Sequence, residues 1–359
     1  MPSIRFGLWH STAAAAVVLA LIVQGPLPAA SRDTLPASLT DSEFWSLIER
    51  LSEPDGFFRS NSGSPDNLLS NENTVSTVAA AIAREIKPSG VYLGVGPEQN
   101  FTYIVAMRPR IAFITDIRRG NLHLHLLYKA LFEMSADRAS FVARLFGRRP
   151  PEGLSARSSA AELMRAYLGA EAVDEQTFQA HVRAVVAHLT KTRAFPLGQS
   201  DVEGIEYVYR NFHQFGPAIH YTSSIGGRSS ASSYAAIMMS TDRGTGAERT
   251  YLATEANFAL VRAMQQRNLI VPVVGDFAGP RALRAVGTWL RDRGAVLSAF
   301  YVSNVEDYLR RNGVWGRFCA NVATLPLDTA SVFIRPNHQL SFGNVQAETA
   351  TCGALPPTR

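Results

Sequence analysis

Residues 90–133 read GVYLGVGPEQNFTYIVAMRPRIAFITDIRRGNLHLHLLYKALFE, and this stretch decides the fold. An apolar run at residues 91–93 stops at two closely spaced glycines, Gly94 and Gly96. A segment with helical spacing of apolar residues follows, and a second apolar run ends on Asp116. This order predicts a buried strand at the centre of the sheet, a glycine turn, a helix and a second buried strand that ends at an acid.

The glycine turn and the acid match the pattern of a nucleotide site. In doubly wound sheets such a turn lets the backbone approach a ligand, and the acid accepts hydrogen bonds from a ribose. Asp116 follows Gly94 by 22 residues, close to the usual spacing of about 20. The third glycine of the full fingerprint is absent, because Asn100 and Phe101 stand at its place. Two interpretations stay open: a nucleotide site, or glycines that tight packing alone requires.

The words GVGPEQNFTYI, FITDIRRGN and LYKALFE resemble an uncharacterised bacterial family that has the class I S-adenosylmethionine-dependent methyltransferase fold. The resemblance implies a Rossmann-like, doubly wound, mostly parallel α/β sheet, with S-adenosylmethionine as a possible cofactor. It places Gly94 and Gly96 in the cofactor loop and makes Asp116 the ribose acid. That fold usually has an acid two residues before its first glycine, where this chain has Tyr92, and Glu98 in the same loop could partly substitute.

The amino terminus predicts an export signal. Arg5 precedes an apolar core at residues 13–23, and small residues follow at positions 29–31. A core of about 11 residues is too short to span a bilayer of roughly 30 Å, so we expect cleavage and a periplasmic or extracellular protein. A retained signal that acts as an anchor is the alternative. No other stretch predicts a membrane span.

The remaining chain predicts one domain and a tail. Residues 32–336 are expected to form the Rossmann-like α/β domain, with a helical insertion at about 150–195, and residues 337–359 a C-terminal tail. Strand-like residues 331–336 are expected to complete an antiparallel edge. Residues 204–239 combine alternating aromatic residues with a Gly/Ser-rich loop.

The charge distribution, the cysteines and the histidines bear on nucleic-acid binding, a disulfide and a metal site. The formal net charge is +5 and the arginines are scattered, which does not indicate a nucleic-acid surface. The two cysteines, Cys319 and Cys352, predict a disulfide in an oxidising compartment. His123 and His125 would point to different faces of a helix, so no metal site is predicted.

The carboxyl ends of parallel strands predict the ligand site. Residues 66–72 are expected to join the glycine turn there, together with Asp276 and Asn304, each of which follows a strand-like run. The predicted ligand-binding or cofactor-binding residues are Gly94, Gly96, Glu98, Gln99, Asn100, Asp116, Arg118, Arg119 and Asp276, with Asn67, Asn71, Glu72 and Tyr234 as further candidates. Asx residues also cap helices and turns, and arginines also form surface ion pairs, so structural roles stay open for these residues.

Three functions are consistent with the sequence. The first is an exported protein that binds a small polar or nucleoside-type ligand, and the second is an S-adenosylmethionine-dependent methyltransferase. Because S-adenosylmethionine is made and kept in the cytoplasm, an exported location favours the first. The third is a hydrolase built on Asp, His and Tyr groups, although no G-x-S-x-G elbow is present to frame a serine nucleophile.

Overall fold

The computed structural model describes residues 2–3, 33–58, 66–226, 232–336 and 341–352. The predicted signal peptide, residues 1–31, lies almost entirely outside these ranges. The chain divides into Met1–Arg32 and Asp33–Arg359, and every element described below belongs to the second unit.

A six-stranded, mostly parallel sheet forms the centre of a mixed α/β structure. The strands are β1 (Val91–Val95), β2 (Ile111–Asp116), β3 (Ile270–Val274), β4 (Leu297–Tyr301), β5 (Val332–Arg335) and β6 (Ser341–Asn344). Their order is β3-β2-β1-β4-β5-β6, and only β6 among them pairs antiparallel to its neighbour. The order therefore reverses between β1 and β4, where the chain switches from one side of the sheet to the other.

Fourteen α-helices accompany the sheet in the described part of the chain. They are α1 (Asp41–Leu51), α2 (Val75–Glu85), α3 (Gln99–Met107), α4 (Arg119–Met134), α5 (Arg138–Phe146), α6 (Ala160–Leu168), α7 (Glu175–Ala187), α8 (Gln199–Phe215), α9 (Tyr234–Met238), α10 (Glu255–Gln266), α11 (Ala282–Arg291), α12 (Val305–Arg311), α13 (Trp315–Val322) and α14 (Val345–Cys352). None of the helices in these described ranges is long and apolar enough to cross a membrane.

The first strand occupies the centre of the sheet, as the sequence predicts. Leu93 pairs with Phe113 of β2 on one side and with Phe300 of β4 on the other, and all three side chains are fully buried. Every residue of β1, β2 and β3 is buried. A near-continuous apolar sequence is therefore required here, since both faces of these strands are covered.

The helical region between β2 and β3 extends beyond the predicted insertion. Residues 150–195 contain α6, α7 and a π-helical turn, His188–Thr192, and they are followed by the long helix α8. The alternating aromatic residues in the segment that forms α8 did not indicate a helix in the sequence. Its buried positions, which include Ile205, Val208 and Phe212, nevertheless recur at intervals of three and four residues, so helical burial prevails over the apparent alternation.

The C-terminal part differs from the expected edge and tail. Strand β5 pairs parallel to β4, and the antiparallel edge strand is β6, which lies within the segment expected to be a tail. The predicted disulfide between Cys319 and Cys352 is confirmed, with 5.7 Å between the two Cα atoms. It joins α13 to α14, and so ties the last described helix to the domain.

Candidate functional site

A cleft with a volume of about 160 Å³ opens where strands β1 to β4 end. We call it the strand-end cleft. The lining residues that follow these four strands are Gly96, Pro97, Gln99, Ile117, Arg118, Gly275, Asp276, Phe277, Ser303 and Asn304. Further walls come from Phe57, Phe58, Asn67, Ser70, Asn71, Tyr221, Tyr308 and Leu309. The cleft coincides with the reversal of strand order, which is where open α/β sheets bind ligands.

The two glycines of the first turn have different roles. Gly96 has φ +80°, a left-handed conformation that favours glycine, and it lines the cleft. A Cβ added to Gly94 would lie 2.1 Å from Oδ1 of Asn100, so packing excludes a side chain there. His125, buried on α4, holds the carbonyl of Gly96 with Nε2 at 2.9 Å. Burial lowers the pKa of His125 to about 4, which keeps the ring neutral.

The buried side chain of Asn100 stabilises the glycine turn through hydrogen bonds. Its Nδ2 donates to the carbonyls of Val95 at 3.0 Å and Pro97 at 2.8 Å, and its Oδ1 accepts from the hydroxyl of Tyr92 at 2.7 Å. Tyr92 thus occupies the position of the acid in the methyltransferase pattern and stabilises the loop. Burial raises the pKa of its phenol well above the ordinary value. Asn100 is fully buried and is not among the described residues that line the cleft.

Asp116 lies at the carboxyl end of β2 and lines the cleft, although its exposed fraction is only 4%. Oδ2 accepts a hydrogen bond from Nδ2 of Asn67 at 3.1 Å. Oδ1 accepts from the backbone N–H of Arg118 at 3.0 Å and from its Nε at 3.4 Å. Asp116 therefore pairs with Arg118, and this pairing orients the carboxylate at the edge of the cleft.

The two arginines after β2 have different surroundings. Arg118 remains at the cleft, with its guanidinium 5.3 Å from the ring centre of Phe58. Arg119 lies outside the cleft lining and forms an ion pair of 2.7 Å with Asp201 of α8. Asp276, which lines the cleft, accepts the backbone N–H of Ala278 at 2.9 Å in an Asx turn.

Two further candidates lie away from the cleft. The carboxyl of Glu98 is fully buried and accepts from the backbone N–H of Ser70 at 3.2 and 3.3 Å. Burial raises its pKa to about 8. Tyr234 is buried in an aromatic cluster, where its hydroxyl hydrogen-bonds that of Tyr251 and its ring contacts Phe146 edge-on at 5.0 Å. Neither Glu98 nor Tyr234 is therefore among the described residues that line the cleft.

Three residues of the loop before α2 lie in or behind the wall of the strand-end cleft. Asn67 contacts Asp116 as described, and Asn71 lines the cleft with an exposed side chain. Glu72 lies behind the wall, where its Oε1 accepts from the hydroxyls of Tyr301 and Ser303, both at 2.9 Å. Burial raises the pKa of Glu72, and these two hydrogen bonds oppose the shift.

The sequence did not indicate Tyr301 and Ser303 as site residues. Tyr301 is the last residue of β4, and Ser303 has φ +50°, an uncommon conformation for a residue with a side chain. The strand-end rule could have found both, because it already indicated the adjacent Asn304. No comparable signal existed for Phe58 or Tyr308, whose rings meet edge-on at 4.6 Å.

A comparison with protein families gives one match. A family model described as a domain of unknown function, DUF7790, matches residues 68–212 and 225–352, which is well over half of the chain. No curated protein matches the chain. The matched residues contain all six strands and most of the residues that line the strand-end cleft. The chain therefore belongs to the DUF7790 family.

Proposed function

We propose that this chain is an exported protein that binds a small polar ligand of nucleoside type in the strand-end cleft. The observation that carries the proposal is the position of Asp116, which ends β2 beside Gly96 at the reversal of strand order. A carboxylate at this position is suited to the vicinal hydroxyls of a ribose. The export signal predicted from the sequence and the Cys319–Cys352 disulfide support the exported location.

The surroundings of Asp116 support this role. An ionised carboxylate offers about four acceptor sites, and Oδ2 has one described donor, Asn67. Asn67 and Arg118 hold the carboxylate in one orientation, so a ribose hydroxyl would meet a preorganised acceptor. Ile117 and Phe277, which follow β2 and β3, add apolar surface for a flat base on that side.

An S-adenosylmethionine-dependent methyltransferase is the second candidate. The order β3-β2-β1-β4-β5 and the glycine turn after β1 support a Rossmann-like, doubly wound, methyltransferase-like class. Asp116 and the Gly96 turn fit the nucleoside part of this cofactor, which supplies a reactive methyl group when it is bound. Tyr92 stands in place of the usual acid, and its hydroxyl is engaged by Asn100. This departure favours the binding protein over the enzyme.

Calorimetry on the mature protein tests the proposal. Adenosine, S-adenosylmethionine and S-adenosylhomocysteine would each be titrated into wild type, Asp116→Asn and Asp292→Asn. Asp292 is an exposed acid that precedes β4, at the opposite edge of the sheet, so its variant is the matched control.

We expect adenosine to bind wild type and the control alike, and Asp116→Asn to bind it about ten to a hundred times more weakly, because a hydrogen bond to a charged acceptor contributes roughly 1.5–3 kcal/mol. Strong binding of the two adenosyl compounds without measurable binding of adenosine would favour the methyltransferase. If wild type binds none of the three at millimolar concentration, the nucleoside proposal is wrong.

A further inference from the structure

Two buried polar atoms in the cleft wall have no hydrogen-bond partner among the described residues. They are Oε1 of Gln99, whose side chain is 2% exposed, and Oγ1 of Thr115, which is fully buried. The amide orientation of Gln99 follows from its other contact, since Nε2 donates to the carbonyl of Val95 at 3.0 Å. Thr115 is the partner of Val95 across the strand pair. Both atoms therefore lie beside the end of β1.

A buried polar atom without a partner is costly, and one that lines a cleft is satisfied when a ligand supplies the missing group. An amide oxygen can only accept, so Oε1 of Gln99 requires a donor. Oγ1 of Thr115 can accept as well. Both atoms can therefore receive hydrogen bonds from a ligand.

The charges around the cleft favour a cationic donor. Among the described residues that line it, the ionisable acids and bases are Asp116, Asp276 and Arg118, apart from the tyrosines. Arg118 already forms an ion pair with Asp116. Acids therefore outnumber bases among the charged residues of this lining.

Phe277 and Gln99 lie on opposite sides of Asp116 along the strand order, which orients a nucleoside held by Asp116. Ile117 and Phe277 lie on the side of β2 and β3, where a base would find apolar contacts. Gln99 and Tyr301 lie on the side of β1 and β4, and Nε2 of Gln99 is 3.4 Å from the hydroxyl of Tyr301. The 5′ substituent of the nucleoside would point to the side of Gln99 and Tyr301.

We propose that the ligand presents a positively charged hydrogen-bond donor, a primary ammonium group, to Gln99 and Thr115, and that the cleft discriminates against phosphate at this position. The inference rests on the proposed nucleoside site and names the chemistry of the group at its 5′ side. A phosphate would bring mainly acceptors to Oε1 of Gln99, and a negative charge to a lining in which acids outnumber bases.

Three related compounds test the inference by calorimetry at neutral pH: 5′-amino-5′-deoxyadenosine, adenosine and adenosine 5′-monophosphate. For wild type we expect the amine to bind at least about ten times more tightly than adenosine, since a charged hydrogen bond is added. We expect the monophosphate to bind more weakly than adenosine. Gln99→Met should remove most of the preference for the amine, and Thr115→Val should reduce it. Gln199→Met, at an exposed position on α8, should retain it.

The outcomes separate this inference from the proposed function. Adenosine binding that depends on Asp116, with equal affinities for the amine and for adenosine, would overturn the inference and leave the proposed function standing. Tighter binding of the monophosphate would also overturn it. If wild type binds none of the compounds, the proposed function fails and the inference fails with it. The comparison of ligands on wild type needs no variant to fold.

Discussion

The substitution Glu98→Gln tests whether the carboxyl of Glu98, a residue that the sequence analysis placed in the ligand site, is buried and protonated. In the folded protein, burial raises the pKa of Glu98 from an ordinary value of 4.5 to about 8, against the opposing effect of the backbone N–H of Ser70. The folded state therefore retains a proton that the unfolded chain releases above pH 4.5. The contribution of Glu98 to stability is present below pH 4.5 and is lost as the pH rises through 8.

The size of this loss follows from the two pKa values. The interval from 4.5 to about 8, at about 1.4 kcal/mol per pH unit, gives about 5 kcal/mol. Glutamine has nearly the same shape, does not ionise, and retains an oxygen for the N–H of Ser70. We therefore expect the free energy of unfolding of Glu98→Gln, minus that of wild type, to increase by about 1.4 kcal/mol per pH unit between pH 6 and 8.

Urea unfolding followed by tryptophan fluorescence, at several pH values from 5 to 9, measures this difference. Glu152→Gln changes an exposed acid in a loop and is the matched control, for which the difference should stay nearly constant. A difference for Glu98→Gln that is equally flat from pH 5 to 9 would refute the buried, protonated carboxyl.

Three further predictions concern stability. Leu93→Asp should lower the unfolding midpoint strongly, because it buries a carboxylate in the central strand, whereas Arg157→Asp at an exposed position should not; equal midpoints in thermal denaturation would contradict this. His125, whose pKa is lowered to about 4, stabilises the fold above pH 6.5, so between pH 7 and 5 wild type should lose about 2 kcal/mol more than His125→Gln in urea unfolding. Alkylation without reduction should leave Cys319 and Cys352 unmodified by mass spectrometry, and labelling of both would exclude their disulfide.

The local course of the chain around the glycine turn could be predicted from the sequence. The apolar runs, the left-handed Gly96 and the terminal Asp116 all depend on short-range preferences and on burial of both strand faces. The strand-end rule also indicated Asp276 and Asn304, and both line the cleft because the carboxyl ends of parallel strands meet at one edge of a sheet.

The direction of individual side chains could not be predicted in this way. Arg118 and Arg119 are adjacent, yet one remains at the cleft and the other pairs with Asp201, a residue of a helix that is distant in sequence. Glu98 belongs to the predicted turn but lies under the backbone of Ser70. Each outcome depends on which distant element packs nearby, and a local pattern contains no information about that neighbour.

The sequence by itself determined the strand, turn, helix and strand order, the disulfide pair and the edge of the sheet at which the cleft opens, because these follow from local propensity, periodicity and pair count. Only the tertiary structure decided the chemistry of the cleft. It brought Asn67 to Asp116 and placed Tyr301 against Glu72, and it left Oε1 of Gln99 buried without a described partner. These contacts join residues far apart in the chain, and they form only when long-range packing brings their elements together.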